Sequence, residues 1–370
     1  MSLYKDLVKK VSIPPEKKVK QKEYISQGCL PIVDQGKSLV GGYSNDTSKE
    51  ISCKLPVIVF GDHTRAVKLI DFPFCPGADG IKVLEPKQGV LPKYLYYATQ
   101  YLVLRLEDKG YARHYQHIEK KEIEIPEFDE QKRIVAKIEE LISQLEDGVE
   151  TLNKTKEQLK VYRQAVLQDA FKNCDKNTLI RDICEHVTDG DHMPPPKANE
   201  GIPFIMISNI ENNRINWHGT AFVGNEYFEA IDSKRKPQKG DILYTVTGSF
   251  GIPVLVDFEK EFCFQRHIAL LSPNERILQK YFYYALQAPD VFAQASRGAT
   301  GTAQKTVGLG VLRKIIIPYV DSMEKQNEIA TEIENRMSVC DYIEQTVNNA
   351  LLQAEALRQS ILKKAFEGEV

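Results

Sequence analysis

The chain has 370 residues, 42% of them apolar and 27% charged, with a formal net charge of −2. That length supports two domains with cores of their own, and no apolar run approaches the roughly 20 residues a membrane helix needs. Near-neutral charge argues against a generic DNA-coating protein, and seven scattered cysteines without a Cys-x-x-Cys pair read as free thiols of a reducing cytoplasm.

The N-terminus lacks the apolar stretch of a signal peptide. Instead it crowds lysines: Lys5, Lys9, Lys10, Lys17, Lys18, Lys20 and Lys22. They read either as a solvated surface or as contacts to phosphate. Three short β-rich runs follow, at 55–61, 66–70 and 81–84, each bounded by turn residues. Between the first two, Gly61-Asp62-His63-Thr64-Arg65 is either a structural turn or a loop that meets a ligand through His63, Thr64 and Arg65. Lys93–Gln100 reads as a short amphipathic helix. Residues 110–116 then mix a glycine with Tyr111, Arg113, His114 and Gln116 just before a last strand that closes on Pro126.

Residues 127–172 read as one helix, with Asp129 as N-cap candidate and Glu130 in the first turn. Ile138, Leu145, Leu152, Leu159 and Val166 fall on one line at heptad spacing. Ile134, Leu141 and Tyr162 form a second line, weakened by Gly148 and Thr155.

The chain then repeats itself. Lys93-Tyr94-Leu95-Tyr96-Tyr97-Ala98-Thr99-Gln100 returns 187 residues later as Lys280-Tyr281-Phe282-Tyr283-Tyr284-Ala285-Leu286-Gln287, six of eight positions identical. Residues 131–171 align with 326–366 at a constant shift of 195, matching Gln131 to Gln326, Glu139 to Glu334 and Phe171 to Phe366. The β-rich runs have counterparts at 240–244, 253–256 and 267–271. Where the first copy has its His63 loop, the second has Thr245-Val246-Thr247-Gly248-Ser249, so chemistry needing His63 would exist in one half only. Before its last strand the second copy carries Arg297, Thr300, Gln304 and Lys305 in a glycine-rich stretch. Arg and Lys suit guanine and Gln suits adenine in the major groove, so these loops, with Thr247 and Ser249, are the candidate nucleic-acid contacts.

The second helical stretch starts near Ser322 or Met323, with Ile333, Cys340, Val347, Ala354 and Ile361 on one line. Ile329, Ile343, Ala350 and Leu357 lie on the other, which Arg336 interrupts. Its seam residues are smaller than those of the first helix, which favours pairing between the two unlike helices. The expected fold is α+β: two mixed, strand-rich globular parts, separated by two long helices that form an antiparallel coiled coil, with a pseudo-two-fold duplication. Boundaries fall at 1–126, 127–172, 173–318 and 319–370. Net charge runs +5, −2, zero and −5 over these segments.

Motifs for catalysis are missing. There is no phosphate loop, no dinucleotide fingerprint and no acidic-Pro-Pro-aromatic tetrapeptide of an adenine methyltransferase. Asp189-Gly190-Asp191-His192-Met193-Pro194-Pro195-Pro196 lacks calcium-loop spacing, and its prolines indicate a stiff extended segment. Acidic-x-Lys pairs at Glu119-Lys120-Lys121 and Glu130-Gln131-Lys132 sit in charged stretches where such pairs arise by chance.

This layout resembles the specificity subunit of type I restriction–modification enzymes over essentially the whole chain. The resemblance rests on two divergent globular parts, each followed by a long helix opening with Pro-x-x-x-Glu-Gln-x-x-Ile. Here that is Pro126-Glu127-Phe128-Asp129-Glu130-Gln131-Lys132-Arg133-Ile134; the second copy departs to Lys325-Gln326-Asn327-Glu328-Ile329. The resemblance implies two target-recognition domains that bind a split, asymmetric site on double-stranded DNA. It implies recruitment of two modification subunits, and of restriction subunits, in the cytoplasm and away from membranes. The chain itself would have no active site and hold no cofactor or metal; S-adenosylmethionine, ATP and magnesium would belong to the partners. A recognition subunit of a related fused restriction system, or a nuclease on a duplicated binding scaffold, are the alternatives. A straight helix over 128–171 would be about 66 Å long at ~1.5 Å per residue, and helix length is expected to set the spacer between half-sites.

Overall fold

A computed structural model describes residues 1–77, 80–107, 113–192 and 195–368. The chain forms two units, one of residues 1–153 with 348–370 and one of residues 154–347. Both are α+β, and their sheets have the same plan.

In the first unit a four-stranded antiparallel sheet runs in the order Val8–Val11, Ile81–Pro86, Val57–Gly61, Val67–Ile70. A three-stranded sheet joins Gly42–Ser44, Leu30–Val33 and Cys75–Pro76, the last pairing parallel. Ser2–Leu3 closes on Glu122–Ile123. In the second unit the order is Cys184–Asp189, Ile268–Pro273, Ile242–Thr245, Pro253–Leu255. Its three-stranded sheet joins Ala221–Val223, Ile202–Ile205 and Cys263–Phe264, and Lys176–Leu179 closes on Ile316–Tyr319. The strongly apolar central strands, Val57–Gly61 and Ile242–Thr245, are buried at every position, as a strand covered on both faces should be. The repeated aromatic segment is a helix in both units, Pro92–Leu104 and Gln279–Ala285. The strands of the three-stranded sheets carry no clean period-two pattern and are not legible in the sequence.

The long helices span Phe128–Phe171 and Met323–Phe366, 44 residues each. Asp129 lies inside the first turn rather than at the N-cap; Ser322 caps the second helix through its hydroxyl, which accepts from the Lys325 N–H at 3.2 Å. Within the second unit Arg163 donates to Asp341 (2.7 Å) and Glu344 (3.0 Å), and Arg336 to Asp169 (3.2 Å). Rising numbers on one helix meet falling numbers on the other, so the pair is antiparallel. In the first unit Arg358 reaches Glu146 at 3.6 Å.

The expected first seam line is the inner one. Ile138, Leu159, Val166, Ile333, Cys340, Val347 and Ile361 are buried, and Leu145, Leu152 and Ala354 half-buried. The expected second line holds only in part: Ile134, Leu141, Ile329 and Ala350 are half-buried, but Tyr162, Ile343 and Leu357 are exposed, and a more buried line lies elsewhere. It runs four residues on from the first line, through Val135, Ile142, Val149, Lys156, Arg163 and Ala170 on one helix. On the other it runs through Ala330, Met337, Glu344, Leu351, Arg358 and Ala365, all buried or half-buried. Apolar character alone selected the less buried line, because the more buried one carries Lys156, Arg163, Glu344 and Arg358. Arg336 flanks the seam and does not break it.

The repeated landmarks turn out to be the attachment of each globular part to the helices. Gln131, 1% exposed, donates to the Gly89 and Pro126 carbonyls (both 2.9 Å) and accepts from the Leu91 N–H (2.8 Å). Gln326, 0% exposed, repeats this with the Arg276 and Val320 carbonyls and the Leu278 N–H. A buried amide that satisfies three backbone or side-chain groups at once has no isosteric substitute. Lys93 pairs with Glu139 (2.6 Å) and Lys280 with Glu334 (2.8 Å). Phe366 packs on Tyr94 with ring centroids 5.2 Å apart, and Phe171 on Tyr281 at 5.4 Å. Each globular part is thus held between the beginning of its own helix and the end of the other copy's helix.

Candidate nucleic-acid interface

The central strand of the first unit ends in a tight turn. The Gly61 N–H donates to the Ala66 carbonyl and the Arg65 N–H to that of Gly61, both at 2.8 Å. Arg65 sits at φ 62°, in the left-handed region, as the turn demands. Thr64 Oγ1 donates to the Gln35 carbonyl, so its hydroxyl fixes the turn onto the three-stranded sheet. His63 and Arg65 are half-buried and Thr64 exposed.

Asp62 joins this turn to the second predicted loop. It is 3% exposed. Its carboxylate accepts from the Tyr115 N–H at 2.9 Å and lies 3.3 Å from the Lys82 ammonium, and its carbonyl accepts from the His114 N–H at 2.9 Å. The His63–Arg65 turn and the Arg113–Gln116 segment therefore share one edge of the unit. Arg113 and Gln116 are exposed there. His114 is 1% exposed; it lies beneath the surface, and its place is to shape the loop. Tyr111 lies outside the described residues, as do Gly110 and Ala112.

The second unit builds the same juxtaposition by other means. The Thr245 N–H donates to the Ile252 carbonyl (3.1 Å) and the Gly251 N–H to that of Thr245 (2.9 Å), so this turn is two residues longer. Instead of a carboxylate, backbone bonds hold the neighbouring loop. The Gly248 N–H donates to the Lys305 carbonyl (2.9 Å) and the Val307 N–H to that of Val246 (2.8 Å). Thr300 and Thr306 exchange both bonds, and the Thr306 and Thr247 hydroxyls meet at 3.3 Å. Ser249, Arg297, Thr300, Gln304 and Lys305 are exposed along this edge, with Thr247 buried at its base. Arg297 is not in a loop; it ends the helix Pro289–Gly298, which fixes its backbone. The inserted Phe250 stacks on Phe292 at 5.7 Å and 13°, beside Ser249.

The N-terminal lysines are less concerted. Lys9 pairs with Glu85 at 3.0 Å. The Lys54 N–H, and then Lys9, hold the Glu85 carboxyl below the usual carboxylate range. Lys10 lies 5.7 Å over the Tyr115 ring. Lys17 donates to the Ser48 carbonyl, and Lys18 is half-buried.

Sequence reasoning assigned no role to Lys82, Phe250 or Phe292, and weighed Asp62 only as a member of a His, Asp and Arg group in its loop. Asp62 stood inside a noticed loop, but its partner lies 53 residues on and nothing local announces it. Among the described residues, no group of three His, Cys, Asp or Glu side chains is arranged to hold a metal ion, and no helix is long and apolar enough to cross a membrane.

The arrangement is matched by known proteins. The family described as the type I restriction modification DNA specificity domain matches residues 5–160 and 176–353. The chain is 27% identical over 275 residues to the type I restriction enzyme EcoBI specificity subunit of Escherichia coli, covering 66% of this chain and 58% of that one. To the EcoKI specificity subunit of E. coli strain K12 it is 28% identical, covering 67% and 57%; the chain thus spans less than two thirds of these relatives. To the EcoR124I/EcoR124II specificity subunit of E. coli it is 28% identical over 88% of this chain and 85% of that one. Among solved structures, a chain from a study of assembly and conformational transition of the type I R-M system superposes with a TM-score of 0.74 at 15% identity, covering 100% and 97%. The HsdS subunit from Thermoanaerobacter tengcongensis superposes at 0.51 and 15% identity, covering 100% and 96%.

Proposed function

The chain belongs to the family of the type I restriction modification DNA specificity domain, and on that premise we propose that it is the DNA sequence-specificity subunit of a type I restriction–modification enzyme. It reads a bipartite, asymmetric site on double-stranded DNA, one half per globular part. Residues 1–126 and 173–318 are the target-recognition domains, and 127–172 and 319–370 the helices between them. It recruits two modification subunits, which methylate adenine from S-adenosylmethionine, and restriction subunits that use ATP and magnesium. The chain positions these enzymes and performs no chemistry.

One observation carries the reading. Two copies of one scaffold agree at their helix attachments and differ at one edge, where each gathers donors from two separate loops. Duplicated support with divergent donors suits a target of two unlike halves. Arg297, Gln304 and Lys305 are the base-reading or phosphate contacts of the second half, and Arg65, Arg113 and Gln116 those of the first, with His63, Thr64, Thr247, Ser249 and Thr300 shaping or completing each edge. Lys9, Lys10, Lys17 and Lys18 add phosphate contact. With so little surplus positive charge, the isolated chain binds weakly and steeply with salt.

The test is the methylated sequence of cells expressing the chain with its modification subunit. Replacing 173–318 by another member's second domain should change one half of that sequence and keep the other. Arg297→Ala should relax a single position in one half, a loss of roughly 1–3 kcal/mol if Arg297 reads a guanine. A change in both halves from either variant overturns modular readout.

A further inference from the structure

Val246 is the middle of a small ladder at the divergent edge of the second unit. Its carbonyl accepts from the Val307 N–H at 2.8 Å, on the side of the Arg297–Lys305 segment, and its N–H donates to the His267 carbonyl at 2.9 Å on the other side. The edge therefore has a third member, Gln265-Arg266-His267. In the first unit the equivalent bond runs from the Asp62 N–H to the Gly80 carbonyl at 2.6 Å. Gly80 lies at φ 97°, and a Cβ there would meet the Gln35 side chain at 2.6 Å, so that unit has no side chain at the place of His267.

The backbone of this third loop is pinned throughout. The Gln265 N–H donates to the Ile205 carbonyl (3.0 Å), the Arg266 N–H to that of Asp191 (3.1 Å) and the Ile268 N–H to that of Gln265 (3.0 Å). The guanidinium is not pinned. Arg266 is exposed, and among the described residues it makes neither an ion pair nor a side-chain hydrogen bond; the same holds for Arg297 and Lys305. By contrast Arg235, Lys236, Lys239 and Lys280 each meet a carboxylate, of Asp189, Glu229, Glu259 and Glu334. The acids on the segment facing the loop are already engaged. Asp191 accepts from the Tyr227 hydroxyl, and the Asp189 carboxylate lies 2.9 Å from His192 Nε2 and 3.5 Å from the Arg235 guanidinium.

We propose that Arg266 is a specificity-determining residue of the second half-site, donating from its guanidinium to O6 and N7 of a guanine. This rests on the functional reading above. A planar fork fits those two acceptors. A fixed backbone aims the fork, and reading a base edge needs that aim where neutralising a phosphate does not. Neighbouring strands stand ~4.8 Å apart, so the three loops make a ridge about 10 Å across. That ridge fits a major groove about 12 Å wide. Arg266 and Gln304 lie on its opposite flanks, so they meet different base pairs.

The experiment expresses the full chain with its modification subunit and reads the methylated sequence, wild type against Arg266→Ala and Gln304→Ala. The Arg266 side chain bonds to no other described group, so Arg266→Ala should keep the wild-type Tm. It should relax one G·C pair of the second half, leave the first half intact, and act at a different pair from Gln304→Ala. The purified complex is then bound to DNA carrying 7-deazaguanine, which lacks the N7 acceptor, at the relaxed pair. Wild type should lose roughly tenfold or more in affinity, and Arg266→Ala should lose nothing further, a result that a merely structural role for Arg266 would not produce. An unchanged methylated sequence in Arg266→Ala overturns the assignment. So does equal loss to 7-deazaguanine in both proteins. So does uniform weakening across sequences with a salt slope lower by about one, the mark of a phosphate contact. A wild-type chain that directs no methylation overturns the functional reading, and this inference with it.

Discussion

The backbone N–H of Lys54 and that of Gln238 stand at the same place in the two units, just before the central strand. In the first unit Glu85, from the neighbouring strand, accepts from Lys54 at 2.8 Å. In the second, the position of Glu85 is taken by Ser272, and Asp241 accepts from Gln238 at 2.8 Å instead. The bond survives, and its acceptor has moved from the neighbouring strand to the residue that precedes the central one. At the edge where the two loops of each unit meet, the same thing happens on a larger scale: Asp62 holds two loops together in one unit, and a backbone bridge does so in the other. At the helix attachments nothing of the kind occurs. Gln131 and Gln326, Lys93 and Lys280, Glu139 and Glu334, Tyr94 and Tyr281 keep both identity and partner. Where a site must satisfy several fixed groups at once, only one residue serves; where one donor needs any acceptor, alternatives are open.

The largest test of that contrast removes the shared rings. Phe366→Ala and Phe171→Ala should each lower stability by about 3–5 kcal/mol, read as lost hydrogen-exchange protection in the first unit and the second unit respectively. A loss confined to the wrong unit would break the assignment of each helix end to its core. Next come the glutamines. Gln131→Leu and Gln326→Leu strand buried backbone groups and should each cost roughly 2–4 kcal/mol by chemical denaturation; unequal losses would show that the two clips are not equivalent.

The carboxylates give a smaller effect of opposite sign in the two units. Glu85 is held below the usual range, first by the Lys54 N–H and then by Lys9. Its contribution is present above the unfolded-state pKa and is lost as pH falls through the folded one. Burial pushes the Asp241 carboxyl up, so the folded state binds its proton more tightly than the unfolded chain. Across the window above the ordinary Asp value, stability falls as pH rises. Glu85→Gln should therefore flatten the acid side of the stability profile and cost roughly 1–2 kcal/mol at pH 7. Asp241→Asn should remove the opposite slope and leave neutral-pH stability unchanged or higher. Equal slopes in the two variants would refute the contrast. Smallest of all, Arg163→Ala breaks ion pairs with the exposed Asp341 and the half-buried Glu344 and should cost under about 1 kcal/mol, less in high salt.

Much of this was legible in advance because duplication supplied an internal alignment. The central strands, both aromatic helices and the two long helices announced themselves through apolar runs, repeated tyrosines and heptad spacing. The outer seam line did not, since Arg163, Glu344 and Arg358 lie in it and pair across it, while Tyr162 and Leu357 face outward. The three-stranded sheets were hidden because Leu30–Val33 and Ile202–Ile205 are short and carry prolines. The two loops singled out in each copy do share an edge, but what joins them was not legible, because Asp62 and Tyr115, or Val246 and Val307, are brought together only by the fold.

The first unit is not a continuous piece of sequence: it takes residues 348–370 from the far end of the chain, whereas the second is the uninterrupted stretch 154–347. During synthesis at about 5–20 residues per second, the second unit is therefore complete before the first. Until Ile361, Leu362 and Phe366 leave the ribosome, Tyr94, Tyr101, Ile138 and Ile142 lack the side chains that cover them. Of the two units, the one begun first is finished last, and for roughly tens of seconds its core stays uncovered. A premature stop that removes only the final turns would thus spare the nearer domain and ruin the one encoded first.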